Sequence, residues 1–241
     1  MKLVILTTET PHHAFFVREV AQRFEVAQVF CETEGPHPEF ETAHAFEALR
    51  DDDERQAWFA GASPSVADFA PTKQIASMNN APSVAELSLL APDVVLVFGT
   101  GRLGPPVIAV QPRLMLNLHG GDPEEYRGLD THLWAVYHRD FTGLVTTLHR
   151  VAPELDDGEV VLQAPVPLRR GMQLHELRRA NTAVCVRLAC AALAVIAAEG
   201  DVPSRPQTRK GRYYSFMPSP LKELCRRSFA AYTARLVEAV A

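Results

Sequence analysis

Short runs of consecutive apolar residues alternate along this chain with segments in which apolar residues recur at helical spacing. Residues 94–98 read Val-Val-Leu-Val-Phe, and residues 114–116 read Leu-Met-Leu before the first polar side chain follows. Unbroken apolar runs of this length are typical of strands that are buried on both faces of a parallel sheet. The alternation with helices therefore predicts an α/β fold with a Rossmann-like, doubly wound and mostly parallel sheet.

The predicted elements divide the chain into an α/β domain over residues 1–170 and a short, mainly helical C-terminal extension over 171–241. Residues 61–82 are interrupted by proline and serine and are expected to form a loop. The predicted strands are 3–6, 26–30, 93–98, 114–119, 144–151 and 159–168, and the predicted helices are 12–24, 39–59, 84–90, 131–139, 173–199 and 218–241.

Composition restricts the partners that this chain can have. Its formal net charge is −5, whereas proteins that bind nucleic acid normally present a basic face to the phosphates. The apolar runs look too short to span a bilayer, and no secretory signal is visible at the N-terminus. The four cysteines are scattered without a Cys-x-x-Cys pair, which is typical of a reduced compartment. We therefore expect a cytoplasmic protein that binds neither nucleic acid nor membranes.

Residues Gly99 to Gly104 match the Gly-x-Gly-x-x-Gly pattern of dinucleotide-binding proteins and follow a predicted strand. That pattern needs a helix of several turns whose N-terminus faces the pyrophosphate. Pro105, Pro106 and Pro112 leave room for barely two turns before the next strand. A nicotinamide-dependent oxidoreductase that uses Gly99–Gly104 stays open as an alternative. The chain carries no P-loop, His-Glu-x-x-His or Gly-x-Ser-x-Gly motif, and no metal site is expected.

Polar side chains cluster where two predicted strands end. Asn117 and His119 lie two residues apart, so the alternation of a strand puts them on one face. A second strand ends near His149, and the loop after it carries Asp156. Taken singly, these residues also suit a cap, a structural histidine and a turn. Brought together at the carboxyl edge of the sheet, an amide, an imidazole and a carboxylate suit acyl transfer, because they can stabilise an oxyanion and move a proton.

Several spaced motifs in this region together resemble the formyltransferase family that uses 10-formyltetrahydrofolate. They are Asn117-Leu-His119, Tyr126-Arg-Gly128, Thr147-Leu-His149-Arg-Val151 and Asp156-Asp-Gly158, preceded by the strand at 93–98 with Arg102-Leu103 in the loop after it. The resemblance is strong over residues 80–170 and elsewhere rests only on the order of strands and helices.

The resemblance implies that Asn117, His119 and Asp156 are the catalytic residues and that 10-formyltetrahydrofolate is the co-substrate. Asn117 and His119 would stabilise the oxyanion, while Asp156 keeps His119 suitably charged and helps to remove a proton from the amine. The Gly-x-Gly-x-x-Gly loop would then bind the pterin through its backbone. The residues expected to bind the folate are Phe98, Gly99, Arg102, Leu103, Gly104, His149 and Asp157.

One stretch departs from the family pattern, since many members have Ser-Leu-Leu-Pro after the histidine and this chain has Gly120-Gly-Asp-Pro-Glu-Glu125. Asp122, Glu124 or Glu125 could meet a cationic amine, although a solvated turn explains them equally well. Tyr213 and Tyr214 could stack on a nucleotide base or take a place in the core. The residues expected to bind the acceptor are His12, His13, Asp122, Tyr126 and Arg127.

The same resemblance narrows the acceptor. The net negative charge and a short C-terminal extension without a further barrel domain disfavour initiator tRNA, and no regulatory domain of a folate hydrolase fits before the first strand. Residues 7–13 contain no glycine, unlike the phosphate loop that is usual in the glycinamide ribonucleotide enzyme. A nucleotide-linked amino sugar is therefore the expected acceptor, with an amino-acid or natural-product amine as the alternative and a homodimer as a possible assembly.

Overall fold

In the computed structural model, which describes residues 1–35 and 37–237, the chain folds around a seven-stranded sheet. The sheet order is β3-β2-β1-β4-β5-β7-β8. Strands β1 to β5 are mutually parallel, and β7 and β8 run antiparallel to their neighbours. These strands are β1 (Leu3–Thr8), β2 (Val26–Glu32), β3 (Thr72–Ile75), β4 (Val94–Phe98), β5 (Met115–His119), β7 (Val145–Arg150) and β8 (Val160–Pro165).

A separate pair of short parallel strands joins the two parts of the chain. β6 (Tyr126–Gly128) pairs with β9 (Arg212–Tyr214), so part of the C-terminal extension adopts strand structure. Neither strand was predicted, and nor was β3, which lies in the segment expected to be a loop. All three are short, and β3 reads Thr-Lys-Gln-Ile without an apolar run, so periodicity could not indicate them.

The described residues form seven α-helices: α1 (Pro11–Ala21), α2 (Ala45–Phe59), α3 (Ala81–Leu90), α4 (Pro105–Ile108), α5 (Thr131–Tyr137), α6 (Leu177–Glu199) and α7 (Ser219–Thr233). Helix α2 begins six residues later than predicted, because His44 caps it and forms a capping box with Glu47. Helix α7 ends at Thr233 rather than 241, and the prediction for 238–241 lies outside the described residues.

Both faces of the sheet are covered, which confirms the doubly wound α/β class. On one face the core contains side chains of α1 and α6, such as Phe16 and Leu193, packed against the strands. On the other face Leu87 of α3 and Val107 of α4 pack against a second set of strand side chains. Helix α6, which belongs to the predicted C-terminal extension, packs on the sheet of residues 1–170 and contributes to the same core. The division of the chain into two parts at residue 170 stays a prediction.

One helix qualifies as a membrane span by length and composition alone. The most apolar 18-residue window of the segment Leu174–Glu199 has a mean hydropathy of 1.9, and 56% of that window is buried inside the protein. The expectation that no apolar run is long enough was therefore wrong. This helix, α6, packs against α1, β7 and β8. Because it contacts elements on more than one side, its apolar surface is wider than the single stripe of a helix that lies on the protein surface.

Candidate active site

A cavity of about 900 Å³ opens at the carboxyl ends of β4 and β5. Its wall combines the loop after β4, the end of β5, the segment before β8, and side chains from α2 and α6. Open α/β sheets bind their ligands at this edge, where the loops after parallel strands meet. The cavity is therefore the place to look for the chemistry of this chain.

The polar residues expected to be catalytic meet on the wall of this cavity. One carboxylate oxygen of Asp156, Oδ1, lies 3.6 Å from Nδ1 of His119 and 3.4 Å from Nε2 of His149. The amide Nδ2 of Asn117 lies 3.1 Å from the same Nε2. His119, His149 and Asp156 are all buried. The result is a compact set of one amide, two imidazoles and one carboxylate.

The backbone fixes the orientation of both imidazoles. Nε2 of His119 lies 2.8 Å from the carbonyl oxygen of Tyr126, and Nδ1 of His149 lies 2.8 Å from the carbonyl oxygen of Arg150. A carbonyl oxygen only accepts, so each of these ring nitrogens donates a proton. The opposite nitrogen of each ring therefore faces Asp156, where the carboxylate can orient it or exchange a proton with it.

Asp156 is held as a carboxylate. Burial raises its pKa, but the charges of His119 and His149 and the backbone N–H of Gly128 lower it more, so that the pKa lies well below the usual range. That N–H donates to Oδ2 at 2.8 Å. The second oxygen is thus engaged by the backbone, and Oδ1 is left to face the two imidazoles.

His149 reaches this cluster from a strand of unexpected direction. The sequence interpretation had its strand end at the same carboxyl edge as β5, whereas β7 runs antiparallel to β5 and pairs Asn117 with His149 directly. Directly opposed residues on neighbouring antiparallel strands bring their side chains close together on one face. The side chains meet as expected, but cross-strand pairing brings them together rather than two adjacent strand ends.

The 99–104 loop, which carries the Gly-x-Gly-x-x-Gly sequence, is fastened by Glu32 at the end of β2 and by Asn79 in the connection between β3 and α3. Glu32 accepts hydrogen bonds from the backbone N–H groups of Gly101 (2.9 Å) and Met78 (2.7 Å). Asn79 accepts from the N–H of Gly104 at 2.6 Å and donates to the carbonyl oxygen of Arg102 at 2.9 Å. The helix after the loop has only four residues. The 99–104 loop is therefore not followed by a helix of the length that pyrophosphate binding requires.

Leu103 and the segment 99–101 lie on the cavity wall, whereas Gly104, which was also expected to bind the folate, does not line it. Arg102 also lines the cavity and donates to the carbonyl oxygen of Pro153 at 2.8 Å. Phe98 is buried and packs edge-on against the rings of His12 and His13. Asp157 is half-buried, with Oδ1 3.5 Å from the Arg127 guanidinium. Phe98 thus belongs to the core behind the loop rather than to the pocket surface.

His12 and His13 lie behind the cavity wall instead of on it, against the expectation that they bind the acceptor. Nδ1 of His13 is within hydrogen-bonding distance of the hydroxyls of Thr8 (3.1 Å) and Thr10 (2.8 Å). Burial lowers the pKa of His13 to about 3, so the ring is neutral. Gly99, at φ +87°, packs so closely on this ring that an added Cβ would lie 2.2 Å from Nε2.

The acidic stretch from Gly120 to Glu125, here called the 120–125 loop, does not offer its glutamates to an acceptor amine. Glu124 is buried and accepts hydrogen bonds from the Arg205 guanidinium at 2.7 Å and from the Thr208 hydroxyl at 2.7 Å. Those hydrogen bonds lower the pKa of Glu124 to about 2. Glu125 pairs with Arg209. The prediction for these two residues is wrong because both carboxylates are committed to the C-terminal extension.

Of the other residues expected to bind the acceptor, Asp122 and Tyr126 lie behind the cavity wall and Arg127 lies on it. Asp122 accepts from the backbone N–H of Glu124 at 3.0 Å. The Tyr126 hydroxyl donates to Asp140 at 3.0 Å, and burial raises the pKa of Tyr126. Arg127 lines the cavity but is buried, and its guanidinium donates to the carbonyl oxygen of Leu155.

The two tyrosines of the extension have different surroundings. Tyr213 lines the cavity and is 60% exposed. Tyr214 stacks between Tyr126 and Trp134 at ring distances of 5.6 and 5.0 Å, and its hydroxyl lies 3.1 Å from His138. Of the two roles considered for this pair, a core role applies to Tyr214, and a free ring face remains at Tyr213.

Sequence reasoning missed four residues of the site. Arg50 of α2 and Arg178 and Asn181 of α6 lie on the cavity wall, and Gln207 bonds the turn that carries Asp156. Arg178 is oriented by Asp51 and by Glu54, which is fully buried. No local motif marks these positions, since each enters the site through tertiary packing. Within residues 1–35 and 37–237, no group of three or more His, Cys, Asp or Glu side chains could hold a metal ion.

Residues 4–185 match the sequence model described as formyl transferase. The chain belongs to the formyl transferase family. Phosphoribosylglycinamide formyltransferase of Escherichia coli is 38% identical over 89 residues, covering 36% of this chain and 42% of that protein. Methionyl-tRNA formyltransferase of Moorella thermoacetica is 28% identical over 163 residues, covering 67% of this chain and 52% of that protein. The chain thus matches about half of the length of these curated relatives, or less.

The fold is also that of solved formyltransferases. The formyltransferase PseJ of Anoxybacillus kamchatkensis, solved in complex with UDP-4,6-dideoxy-4-formamido-L-AltNAc and tetrahydrofolate, superposes with a TM-score of 0.54 at 17% identity. The match covers 88% of this chain and 85% of that one. Identity at this level shows a shared fold and leaves the acceptor of this formyl transferase to be argued from its own residues.

Proposed function

We propose that this protein transfers a formyl group from 10-formyltetrahydrofolate to the primary amine of a small substrate. The observation that carries the proposal is the convergence of Asn117, His119 and Asp156 on one cavity wall in a chain of this family. Formyl transfer to an amine needs a donor for an oxyanion and an acceptor for the proton that the amine loses. These three side chains supply both.

Each catalytic residue has a distinct role in the proposed reaction. The Nδ2 group of Asn117, which lies 3.1 Å from Nε2 of His149, can donate a proton to stabilise the oxyanion. Oδ1 of Asp156, 3.6 Å from Nδ1 of His119, orients this imidazole beside the reacting group. Asp156, flanked by two imidazoles, also provides a path by which the amine proton leaves.

The folate side of the cavity fits a flat, mostly apolar heterocycle with polar edges. Val97, Leu103 and Val151 supply apolar surface, and Gly99 and Gly101 expose the backbone there without a bulky side chain. 10-Formyltetrahydrofolate supplies the formyl carbon when it is bound. We propose that His149 and Asp157 lie at the border between this side and the catalytic residues.

On the acceptor side, we propose a nucleotide-linked amino sugar. Tyr213 offers an exposed aromatic face at the cavity, and aromatic faces stack on nucleotide bases. The match to PseJ over 88% of this chain supports the same choice, since that protein was solved with a UDP-linked formamido sugar. An amino-acid or natural-product amine, glycinamide ribonucleotide and an aminoacyl-tRNA are the competing acceptors.

The experiment mixes the protein with 10-formyltetrahydrofolate and each class of amine in turn and follows release of tetrahydrofolate. We expect release with nucleotide-linked amino sugars and one formamide formed per tetrahydrofolate. Release that favours an amino acid, a ribonucleotide amine or a tRNA would replace the proposed acceptor and keep the formyl transfer. Release without any amine would indicate a hydrolase, and a protein that instead reduces a nicotinamide cofactor would overturn formyl transfer.

Tyr213→Ala tests the stacking role separately. It should raise KM for a nucleotide-linked sugar about tenfold, because base stacking on an aromatic ring contributes on the order of 1–3 kcal/mol. Tyr137→Ala is the matched control, because Tyr137 is also exposed and lies outside the cavity wall. An unchanged KM for the nucleotide-linked sugar in Tyr213→Ala would exclude stacking on this ring.

We also propose that the protein is cytoplasmic, in line with four cysteines that are all free. Its proposed partners are small molecules rather than nucleic acid or membranes. A homodimer stays a prediction.

A further inference from the structure

A segment of the C-terminal extension, residues 204–214, passes beside the turn that carries Asp156 and is here called the C-terminal strap. Its Gln207 donates through Nε2 to the carbonyl oxygens of Asp156 (2.9 Å) and Gly158 (2.8 Å). Both ends of the Asp156-Asp157-Gly158 turn are therefore bonded by one side chain that lies about 50 residues away in sequence. The formyl transferase match ends at residue 185, before the strap begins.

The turn that Gln207 bonds needs support. Asp156 adopts φ +51°, a left-handed conformation that is unfavourable for a residue with a side chain. Gly158 approaches the backbone so closely that an added Cβ would lie 1.7 Å from the carbonyl oxygen of Arg150. Strained turns persist where the surrounding structure holds them by several contacts. Here the contacts are the Arg127 guanidinium, the Gly128 N–H and the Gln207 amide.

The side-chain amide of Gln207 donates two hydrogen bonds to the turn, but its oxygen is buried at a cost in free energy. Its Oε1 is buried without a hydrogen-bond partner among the described residues. A buried acceptor without a partner costs on the order of 1–3 kcal/mol. An unpaired buried oxygen needs a specific explanation. Here the two hydrogen bonds that Nε2 of the same amide donates to the turn offset the cost of burying the oxygen.

The strap itself is anchored at both ends. Arg205 and Val160 exchange backbone hydrogen bonds of 2.8 Å in each direction. At the other end Arg212–Tyr214 pairs with β6, and the N–H of Leu129 donates to Tyr214. Between them, Glu124 accepts from Arg205 and Thr208. These contacts fix Gln207 relative to both the 120–125 loop and the start of β8.

We infer that the C-terminal strap positions Asp156, and that Gln207 is the positioning residue through which it does so. The inference rests on the proposed function, in which Asp156 acts on His119. It also accounts for the acidic departure at Gly120–Glu125, because Glu124 serves as the anchor of the strap. The strap thereby couples the catalytic carboxylate to the part of the chain that lies outside the family match.

The test compares Gln207→Leu with the matched control Gln28→Leu. Gln28 also donates through Nε2 to two backbone carbonyl oxygens, those of Val29 and Pro71, each at 3.0 Å, and lies outside the cavity wall. We expect Gln207→Leu to lower kcat for tetrahydrofolate release about tenfold, since small displacements of a catalytic group have effects of this size. KM for 10-formyltetrahydrofolate should stay within about twofold, and Gln28→Leu should leave kcat unchanged.

A second readout needs no activity and separates this inference from the proposed function. The imidazole ¹⁵N chemical shifts of His119 and His149, which face Asp156, should change in Gln207→Leu. Those of His132, which bonds the carbonyl oxygen of Val145 at 2.7 Å, should not. If the wild-type protein transfers no formyl group to any amine, the proposed function fails, and these shifts still decide whether Gln207 positions Asp156.

Unchanged shifts of His119 and His149 in Gln207→Leu would overturn the inference whatever happens to kcat. An unchanged kcat in an active protein would overturn it as well. If Gln207→Leu does not fold, Gln207→Asn takes its place, because the shorter amide cannot reach both carbonyl oxygens. The same two readouts then apply, with the same expected directions.

Discussion

Two loops near the cavity are each fastened by a buried glutamate, but in different ways: the 99–104 loop lines much of the cavity, whereas the 120–125 loop reaches it through Gly120. The 99–104 loop is held by Glu32, which lies at the end of β2, a parallel strand of the same sheet. The 120–125 loop is held by Glu124, whose partners Arg205 and Thr208 lie more than 80 residues away in the C-terminal strap. The seven-stranded sheet therefore secures the 99–104 loop, which we propose to bind the folate, while the 120–125 loop depends on a segment outside that sheet.

Gly99→Ala should cause the largest loss on the folate side. The new Cβ would occupy a backbone position at φ +87° and lie 2.2 Å from the buried His13 ring. We expect a loss of about 3 kcal/mol in the free energy of unfolding, from backbone strain and overpacking together. Urea unfolding at pH 7 measures it.

Gly101→Ala is the control within the same motif. Its Cβ would meet nothing closer than 3.8 Å, and its φ lies outside the left-handed region. The loss should stay below about 0.5 kcal/mol. Equal losses in Gly99→Ala and Gly101→Ala would contradict the close packing of this loop on α1.

Glu32→Gln should cause the second-largest loss of stability. The side-chain amide has only one oxygen, so it cannot accept from the backbone N–H groups of both Gly101 and Met78 as the two carboxylate oxygens do. We expect a loss of about 2 kcal/mol in stability and a raised KM for 10-formyltetrahydrofolate. Kinetics at saturating amine and urea unfolding measure the two quantities. Glu86→Gln is the control, because Glu86 pairs with Lys73 on the surface. A stability loss without any change in KM would separate Glu32 from folate binding.

Glu124→Gln should have the smallest effect, about 1 kcal/mol at pH 7, because its partner Arg205 is half-exposed. The folded pKa of about 2 lies below the ordinary value of 4.5. The ionised carboxylate therefore stabilises the fold fully above pH 4.5, and this contribution is lost as the pH falls toward 2. The gap between wild type and Glu124→Gln should be constant from pH 5 to 7 and shrink at pH 3. A gap that widens in acid would contradict this assignment.

The sequence indicated the parts of the fold that rest on apolar periodicity. The buried strands at 94–98 and 115–119, the helices that flank them and the α/β class followed from unbroken apolar runs. The direction of β7 did not follow, because an apolar strand reads the same in a parallel and an antiparallel pair. The short strands β3, β6 and β9 depend on backbone pairing with partners far away in the chain.

For the site, sequence reasoning reached residues that belong to dense local motifs and missed those that arrive by tertiary packing. Asn117, His119, His149 and Asp156 were brought together as the motifs implied. Glu124 was misassigned because its partners in the strap cannot be inferred from local sequence. Gln207 has no motif at all, and only its distances to the Asp156 turn reveal it.

Formyl-transfer kinetics of Asp156→Asn test the central claim most directly. With 10-formyltetrahydrofolate and the amine that supports turnover, the rate of tetrahydrofolate release should fall about 1000-fold. Calorimetry should show tetrahydrofolate binding within about threefold of wild type, since Asp156 lies beside the imidazoles of His119 and His149 and, in the proposed reaction, acts after the folate is bound. Asp53→Asn on α2, where Asp53 pairs with Arg179, should keep the wild-type rate. A release rate of Asp156→Asn within about tenfold of wild type would contradict the assignment of this carboxylate to the reaction.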